Sequence, residues 1–242
     1  MIDIHSHILP GLDDGAQTIE ESVEMLAIAA ASGTTDIVAT PHANGAFRFD
    51  AERTEQVFRN LSERNTTSVA LHLGCDFHLS YENLLDAIEK PRKYTINRGP
   101  YLMVELPDAI AIAGVGNGLH QLRKAGILPI LTHPERNRSL QMQLPGMTRF
   151  VSEGARVQVT AQSLLGRFGH AAQRAAASFL KADVVHFIAS DAHDCIDRTP
   201  DLSRAYEYVS SRYGEQRADM LFIHNPAAVL RGDPLPADSS SG

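Results

Sequence analysis

The sequence predicts an α/β protein: a closed (β/α) barrel of seven strands in one domain. Three observations carry this expectation. Short β-rich runs alternate with amphipathic stretches of helical period along nearly the whole chain. Several runs are apolar throughout, as parallel strands covered on both faces are. No linker separates the units, and 242 residues suit one α/β barrel. An open doubly wound sheet is the alternative, because periodicity does not close a barrel.

The strands are expected at "MIDIH" (1–5), "TDIVAT" (35–40), "SVALHLG" (68–74), "YLMVEL" (101–106), "ILPILT" (127–132), "RVQVT" (156–160) and "VVHFIAS" (184–190). Between the first two, Thr18 and Glu21 make a capping box. Val23, Leu26, Ala27 and Ala30 form the apolar stripe of that helix, and Gly33 supplies its stop. Further helical patterns cover 52–64, 81–90, 117–125, 145–153, 164–182 and 201–213. The terminal "DPLPADSSSG" has almost nothing to bury and reads as disordered. The domain is therefore expected over 1–232 and a loose tail over 233–242.

Composition removes several classes of function. Net charge is −7 and there is no Lys/Arg run, which speaks against nucleic-acid binding. No apolar run has the length to cross a bilayer. The first residues include Asp3, His5 and His7, where a signal peptide would carry basic and then apolar residues. A cytoplasmic setting is expected, with Cys75 and Cys195 reduced and packed. Tyr81 and Asp201 stand six residues after those cysteines. That lack of an arginine speaks against a thiolate phosphatase with a Cys-x5-Arg loop.

In a parallel barrel the C-terminal ends of the strands converge on one face, which holds the active site. Here strand one runs into His5 and His7, strand two into His42, strand three into Asp76 and strand four into Glu105. Strand five runs into His133, and strand seven into Asp191 and His193. Strand six offers only Thr160 and Gln162, while Asp13 and Asp14 stand on the first loop. One histidine at a strand end is usually an ordinary hydrogen-bonding residue, and Asp-Asp-Gly alone is turn chemistry. Recurrence at six strand ends of seven is different, because clustered His, Asp and Glu mark a metal site.

Imidazoles and carboxylates without a thiolate suit Mn, Fe or Zn. Eight such donors at the strand ends and one aspartate of the first loop make nine, which exceeds one tetrahedral site, so two or three ions are expected, bridged by carboxylates such as Glu105 or Asp76. Ions roughly 4 Å apart clamp the attacking and leaving oxygens and ionise a bound water near pH ~7, which points to a hydrolase. Arg136 lies three residues past His133 and Arg198 five past His193, both on loops at the rim. Guanidinium groups grip phosphate in bidentate fashion, so the pair points to phosphoryl transfer. His72, His120, His170, His186 and His224 read as structural, and His78 as a candidate for a place behind the ligands.

"DIHSHILPGLDDG", "ATPH", the strand-end "VEL", "THPER" and "IASDAH" together resemble the PHP (polymerase and histidinol phosphatase) superfamily. Their order and spacing are similar to the bacterial manganese-dependent tyrosine-protein phosphatases encoded with capsule and exopolysaccharide genes. The likeness runs from Met1 to "NPAAVLRG". It implies a distorted, TIM-like seven-stranded barrel (the PHP fold) with a trinuclear centre, usually Mn2+, with Fe, Zn or Mg as substitutes. Matched position by position, the implied ligands are His5, His7, Asp14, His42, Asp76, Glu105, His133, Asp191 and His193. Of the two neighbouring aspartates the pattern selects Asp14, beside Gly15, and Arg136 and Arg198 match phosphate-contacting arginines.

The implied activity is hydrolysis of phosphotyrosine by a metal-bridging hydroxide, in control of polysaccharide synthesis. The implied partner is the phosphorylated, tyrosine-rich tail of a bacterial tyrosine autokinase. The chain itself is not expected to be integral to a membrane. One residue departs from the pattern: Asp76 stands where the family commonly has Glu. Being one methylene shorter, it calls for a small backbone shift or a changed metal spacing. Two other readings remain at this level. One is a phosphatase of small phosphomonoesters such as histidinol phosphate; the other is a catalytically weak, metal-stabilised module that binds a kinase.

Overall fold

Each expected strand forms, and two of them continue after a break into short strands, at 42–43 and 76–78, that lie beyond the expected runs. The computed structural model describes residues 1–107 and 112–236. In chain order the elements are β1 (Ile2–Ser6), α1 (Ile19–Ala31), β2 (Asp36–Ala39), β3 (His42–Ala43), α2 (Ala51–Arg64), β4 (Ala70–Leu73), β5 (Asp76–His78) and α3 (Tyr81–Glu89). There follow β6 (Tyr101–Glu105), α4 (Ile112–Lys124), β7 (Leu128–Thr132), α5 (Leu144–Ser152), β8 (Arg156–Thr160), α6 (Ala161–Leu164) and α7 (Gly169–Lys181). Last come β9 (Phe187–Ala189), α8 (Ser203–Tyr213), α9 (Glu215–Asp219) and α10 (Asn225–Arg231).

All strand pairs are parallel, in the orders β1-β2-β4 and β3-β5-β6-β7-β8-β9. The two sheets are two storeys of one barrel. The second stave is β2 continued by β3, and the third is β4 continued by β5. Pro41, which has no N–H to give, separates β2 from β3. Gly74, at the second break, packs so closely that a Cβ there would meet Ile96 Cγ1 at 2.9 Å. Closure joins β9 to β1: Ser6 bridges Ala192, His7 N–H donates to the Ala192 carbonyl at 2.8 Å, and Asp191 N–H donates to the His5 carbonyl at 2.9 Å. Seven staves result, as the alternation of runs predicts. The distortion is a gap between β4 and β6, filled by a single 3-10 turn, Ile96–Arg98, that touches both.

Below the strand ends the lumen is packed by Ile2, Ile4, Val38, Tyr101, Met103, Ile130 and Phe187, drawn from opposite sides of the barrel. Each such side chain stabilises the fold by about 1.5–3 kcal/mol through removal from water. The outer helices pack on the reverse faces of the strands through two further clusters.

Several expected boundaries shift. In α1, Thr18 accepts from the Glu21 N–H as expected, but the Glu21 carboxylate reaches back to Gln17 N–H, one residue earlier. The buried stripe of that helix is Ser22, Met25, Leu26 and Ala29, with Ala27 exposed, so the face is rotated by about one position. The helix expected over 164–182 is two helices, because Gly166 and Gly169 take φ of +83° and +85° between them. The helix expected at 117–125 begins earlier, at Ile112. The strand expected at 184–190 is regular only at Phe187–Ala189, although His186 N–H still donates to the Val157 carbonyl at 2.9 Å. Beyond the last expected helix, α9 and α10 follow. Of the expected tail, the Asp233 carbonyl accepts from Tyr101 Oη at 2.7 Å and Leu235 packs on the lumen cluster. Residues 237–242 lie outside the described residues.

Candidate metal centre

The nine candidate donors meet at one mouth of the barrel. Four overlapping groups place ligand atoms within 4.8 Å of one another: His7, Asp14, His42 and His193; His5, His7 and Asp76; His5, His133 and Asp191; His42, Asp76 and Glu105. Asp76 belongs to two of them, with Oδ2 lying 3.2 Å from His42 Nδ1 and 3.7 Å from His5 Nε2. The short carboxylate therefore reaches both groups from β5. Glu105 joins the cluster from β6, 3.9 Å from both His42 Nδ1 and His133 Nε2, and His78 Nδ1 lies behind it at 3.4 Å.

The two neighbouring aspartates have different places. Asp14 is half exposed and points Oδ1 at His42 Nε2 (3.4 Å) and His193 Nε2 (3.5 Å). Asp13 is buried behind the cluster, where Oδ2 accepts from His7 Nδ1 at 2.7 Å and from His42 N–H at 2.9 Å. Its Oδ1 accepts from Gly15 N–H at 3.0 Å. Such a carboxylate behind an imidazole sets which nitrogen is free to ligate, here His7 Nε2. Gly15 is needed for this approach, because a Cβ there would lie 2.0 Å from the His7 carbonyl oxygen. Gln158, which motif reading did not single out, does the same for His5: its Oε1 lies 3.1 Å from His5 Nδ1. Only the folded barrel brings Gln158 beside His5.

Electrostatics bind the cluster together. Burial alone would raise Asp191, but His5, His7, Arg136 and Arg198 hold it well below the usual carboxylate range. Burial would lower His7, yet its hydrogen bonds with Asp13 and Asp191 push it up to about 10. His133 is lowered to about 3 by burial and by the neighbouring Arg136 charge. His133 and Asp191 also hold φ at +34° and +53°, a strained backbone costing on the order of 1–3 kcal/mol each. Among the described residues, the buried atoms His42 Nδ1 and Asp76 Oδ2 lack a hydrogen bond although they face each other at 3.2 Å. Unsatisfied buried polar atoms are rare. Two of them aimed at one space, among imidazoles and carboxylates, fit a divalent cation.

The arginines lie deeper than a solvated rim would put them. Arg136 and Arg198 both reach Asp191 Oδ2, Arg198 Nη2 at 2.5 Å, while Oδ1 of the same carboxylate faces His5 and His7 at 3.5 and 3.4 Å. Strand β8 ends without a donor to the cluster, as its sequence indicated.

A family model described as "Capsular polysaccharide synthesis, CpsB/CapC" matches residues 1–231. The chain belongs to the CpsB/CapC family. Among its relatives in that family, the tyrosine-protein phosphatase YwqE of Bacillus subtilis is 30% identical over 239 residues, covering 97% of this chain and 93% of YwqE. The tyrosine-protein phosphatase CpsB of Streptococcus pneumoniae is 28% identical over 239 residues, covering 95% of this chain and 98% of CpsB. A crystal structure from work on YwqE and CpsB as metal-dependent tyrosine phosphatases superposes with a TM-score of 0.91 at 29% identity. That match covers 98% of this CpsB/CapC chain and 96% of the other.

Proposed function

We propose that this CpsB/CapC chain is a metal-dependent phosphatase that removes phosphate from tyrosine residues of a protein in capsular or exopolysaccharide synthesis. The observation that carries the reading is the mouth of the barrel, where nine donor side chains share one pocket with two arginines on a single carboxylate. His5, His7, Asp14, His42, Asp76, Glu105, His133, Asp191 and His193 hold two or three divalent ions. Manganese suits this set of imidazole and carboxylate donors, with Fe, Zn or Mg as substitutes. Bound there, the ions supply Lewis acidity and lower the pKa of water to near neutrality.

The chain's own residues do the rest. Asp13 and Gln158 orient His7 and His5. Arg136 and Arg198 offer N–H edges to the phosphoryl oxygens, and Asp191 holds the two cations side by side before substrate arrives. A phenolate leaves readily, since tyrosine titrates near pH ~10, so little general-acid help is needed. The substrate segment is the phosphorylated, tyrosine-rich tail of a bacterial tyrosine kinase, met in the cytoplasm, where free thiols such as Cys75 and Cys195 persist. Among the described residues no helix is long and apolar enough to cross a membrane.

The test is release of phosphate from an aryl phosphate with added Mn2+. His42→Ala and Arg136→Ala are each expected to cost about 100-fold or more in kcat/KM, the scale of losing one charge-stabilising group. Full activity in either variant overturns the assignment. Faster turnover of histidinol phosphate than of phosphotyrosyl peptides would move the substrate to small phosphomonoesters.

A further inference from the structure

Strand β8 is the stave that ends without an imidazole or carboxylate in the cluster, and the segment after it, residues 160–169, holds both arginine loops. Glu135, next to Arg136, is fully buried, and its Oε1 accepts from Thr160 N–H at 3.0 Å and Ser163 Oγ at 2.7 Å. Asp197, next to Arg198, is tied to the same segment. Its carbonyl accepts from Gln162 Nε2 at 2.8 Å, and its carboxylate from Arg167 Nη2 at 3.3 Å. Between these two anchors the Phe168 ring centroid lies 4.3 Å from Arg136 Cζ and 5.7 Å from Arg198 Cζ. Gly166 and Gly169, with φ of +83° and +85°, bend the chain on either side of that ring.

We propose that Phe168 is a positioning residue whose ring gathers Arg136 and Arg198 into one anion-binding pair, and so sets the affinity of the site for a phosphoryl group. The inference rests on the reading of these arginines as phosphoryl contacts. Two guanidinium groups drawn to the same Asp191 oxygen repel each other. The negative face of an aromatic ring attracts both cations. As a flat wall it also restrains the guanidinium planes and leaves their N–H edges free for an anion. Phe168 thus acts through the arginines and through no metal-ligating atom.

The experiment compares metal-loaded wild type, Phe168→Leu and Phe168→Tyr in two assays: calorimetric binding of inorganic phosphate and hydrolysis of an aryl phosphate. Phe168→Leu is expected to weaken phosphate binding and raise KM by about fivefold, with kcat within about twofold, while Phe168→Tyr restores both. In an Arg136→Ala background the Phe168→Leu factor is expected to shrink below about twofold, because the ring's main partner is gone. Wild-type phosphate affinity in Phe168→Leu, or an undiminished factor in the Arg136→Ala background, overturns the proposal. Should Phe168→Leu lose its metal or fail to fold, Phe168→Met is read by the same criteria. A wild-type protein that binds phosphate but hydrolyses no aryl phosphate defeats the phosphatase reading, and the binding comparison still decides the role of Phe168.

Discussion

Asp13 and Asp14 are chemically identical neighbours with opposite surroundings: 1% of the Asp13 side chain is exposed, against 54% of the Asp14 side chain. Asp13 does not point into the cluster of donors, because its two oxygens are taken by His7, His42 and Gly15. Asp13→Ala is therefore expected to keep all nine donors and yet weaken metal binding by about 10–100-fold, as removal of a carboxylate behind a ligating imidazole does. A chelator-competition titration measures this, and an affinity equal to wild type would refute the orienting role. At this scale the sequence was informative about donors and, apart from His78 behind Glu105, silent about their supports. His, Asp and Glu announce themselves at strand ends, whereas the choice of Asp14 over Asp13 came from the family resemblance alone. Gln158 and Phe168 carry no such signal, because each acquires its place only when β8 is laid beside β7 and β9.

Among the elements, α6 and the loop after it depend on one buried acid. Burial pushes Glu135 up to about 7, from 4.5 in an unperturbed chain. Between those two values the folded protein keeps a proton that the unfolded chain has released, so stability falls as pH rises from about 4.5 to 7. The full difference is on the order of 3 kcal/mol. Glu135→Gln keeps an acceptor for Thr160 and Ser163 and removes the titration. With metal chelated, the variant is expected to lose less Tm than wild type between pH 5 and pH 8, by thermal unfolding. Parallel pH curves for the two proteins would contradict the assignment. Asp3, raised to about 6 by burial, slopes the same way in both proteins and cancels in the comparison. The helices and strands were legible from period and caps, but their interruptions were less so. Pro41 and Gly74 are visible as breakers, whereas the change of partner that follows each is a property of the closed sheet. The glycine pair at 166 and 169 likewise reads as helix until both take positive φ.

At the scale of the whole molecule, seven alternating units indicated seven staves, and the hydrogen bonds between Ser190–Ala192 and β1 could not be foreseen from either segment alone. The same closure brings the first and last strands' donors to one mouth, so ions held there as proposed would tie the two ends of the barrel together. Chelation is expected to lower Tm by about 5–10 °C relative to protein held at 100 times its metal Kd, where binding supplies about 2.7 kcal/mol, and Mn2+ should restore it. A Tm indifferent to chelator would mean that the barrel closes without ions. Both guanidinium groups already lean on the Asp191 carboxylate, and the chain's charge of −7 is offset only in part by two or three divalent ions, so an anionic peptide of the kind proposed above would meet a net negative molecule at long range. For such a peptide, capture is expected to begin only on touching the mouth, and dissolved salt, by damping the mutual repulsion, is expected to hasten the encounter.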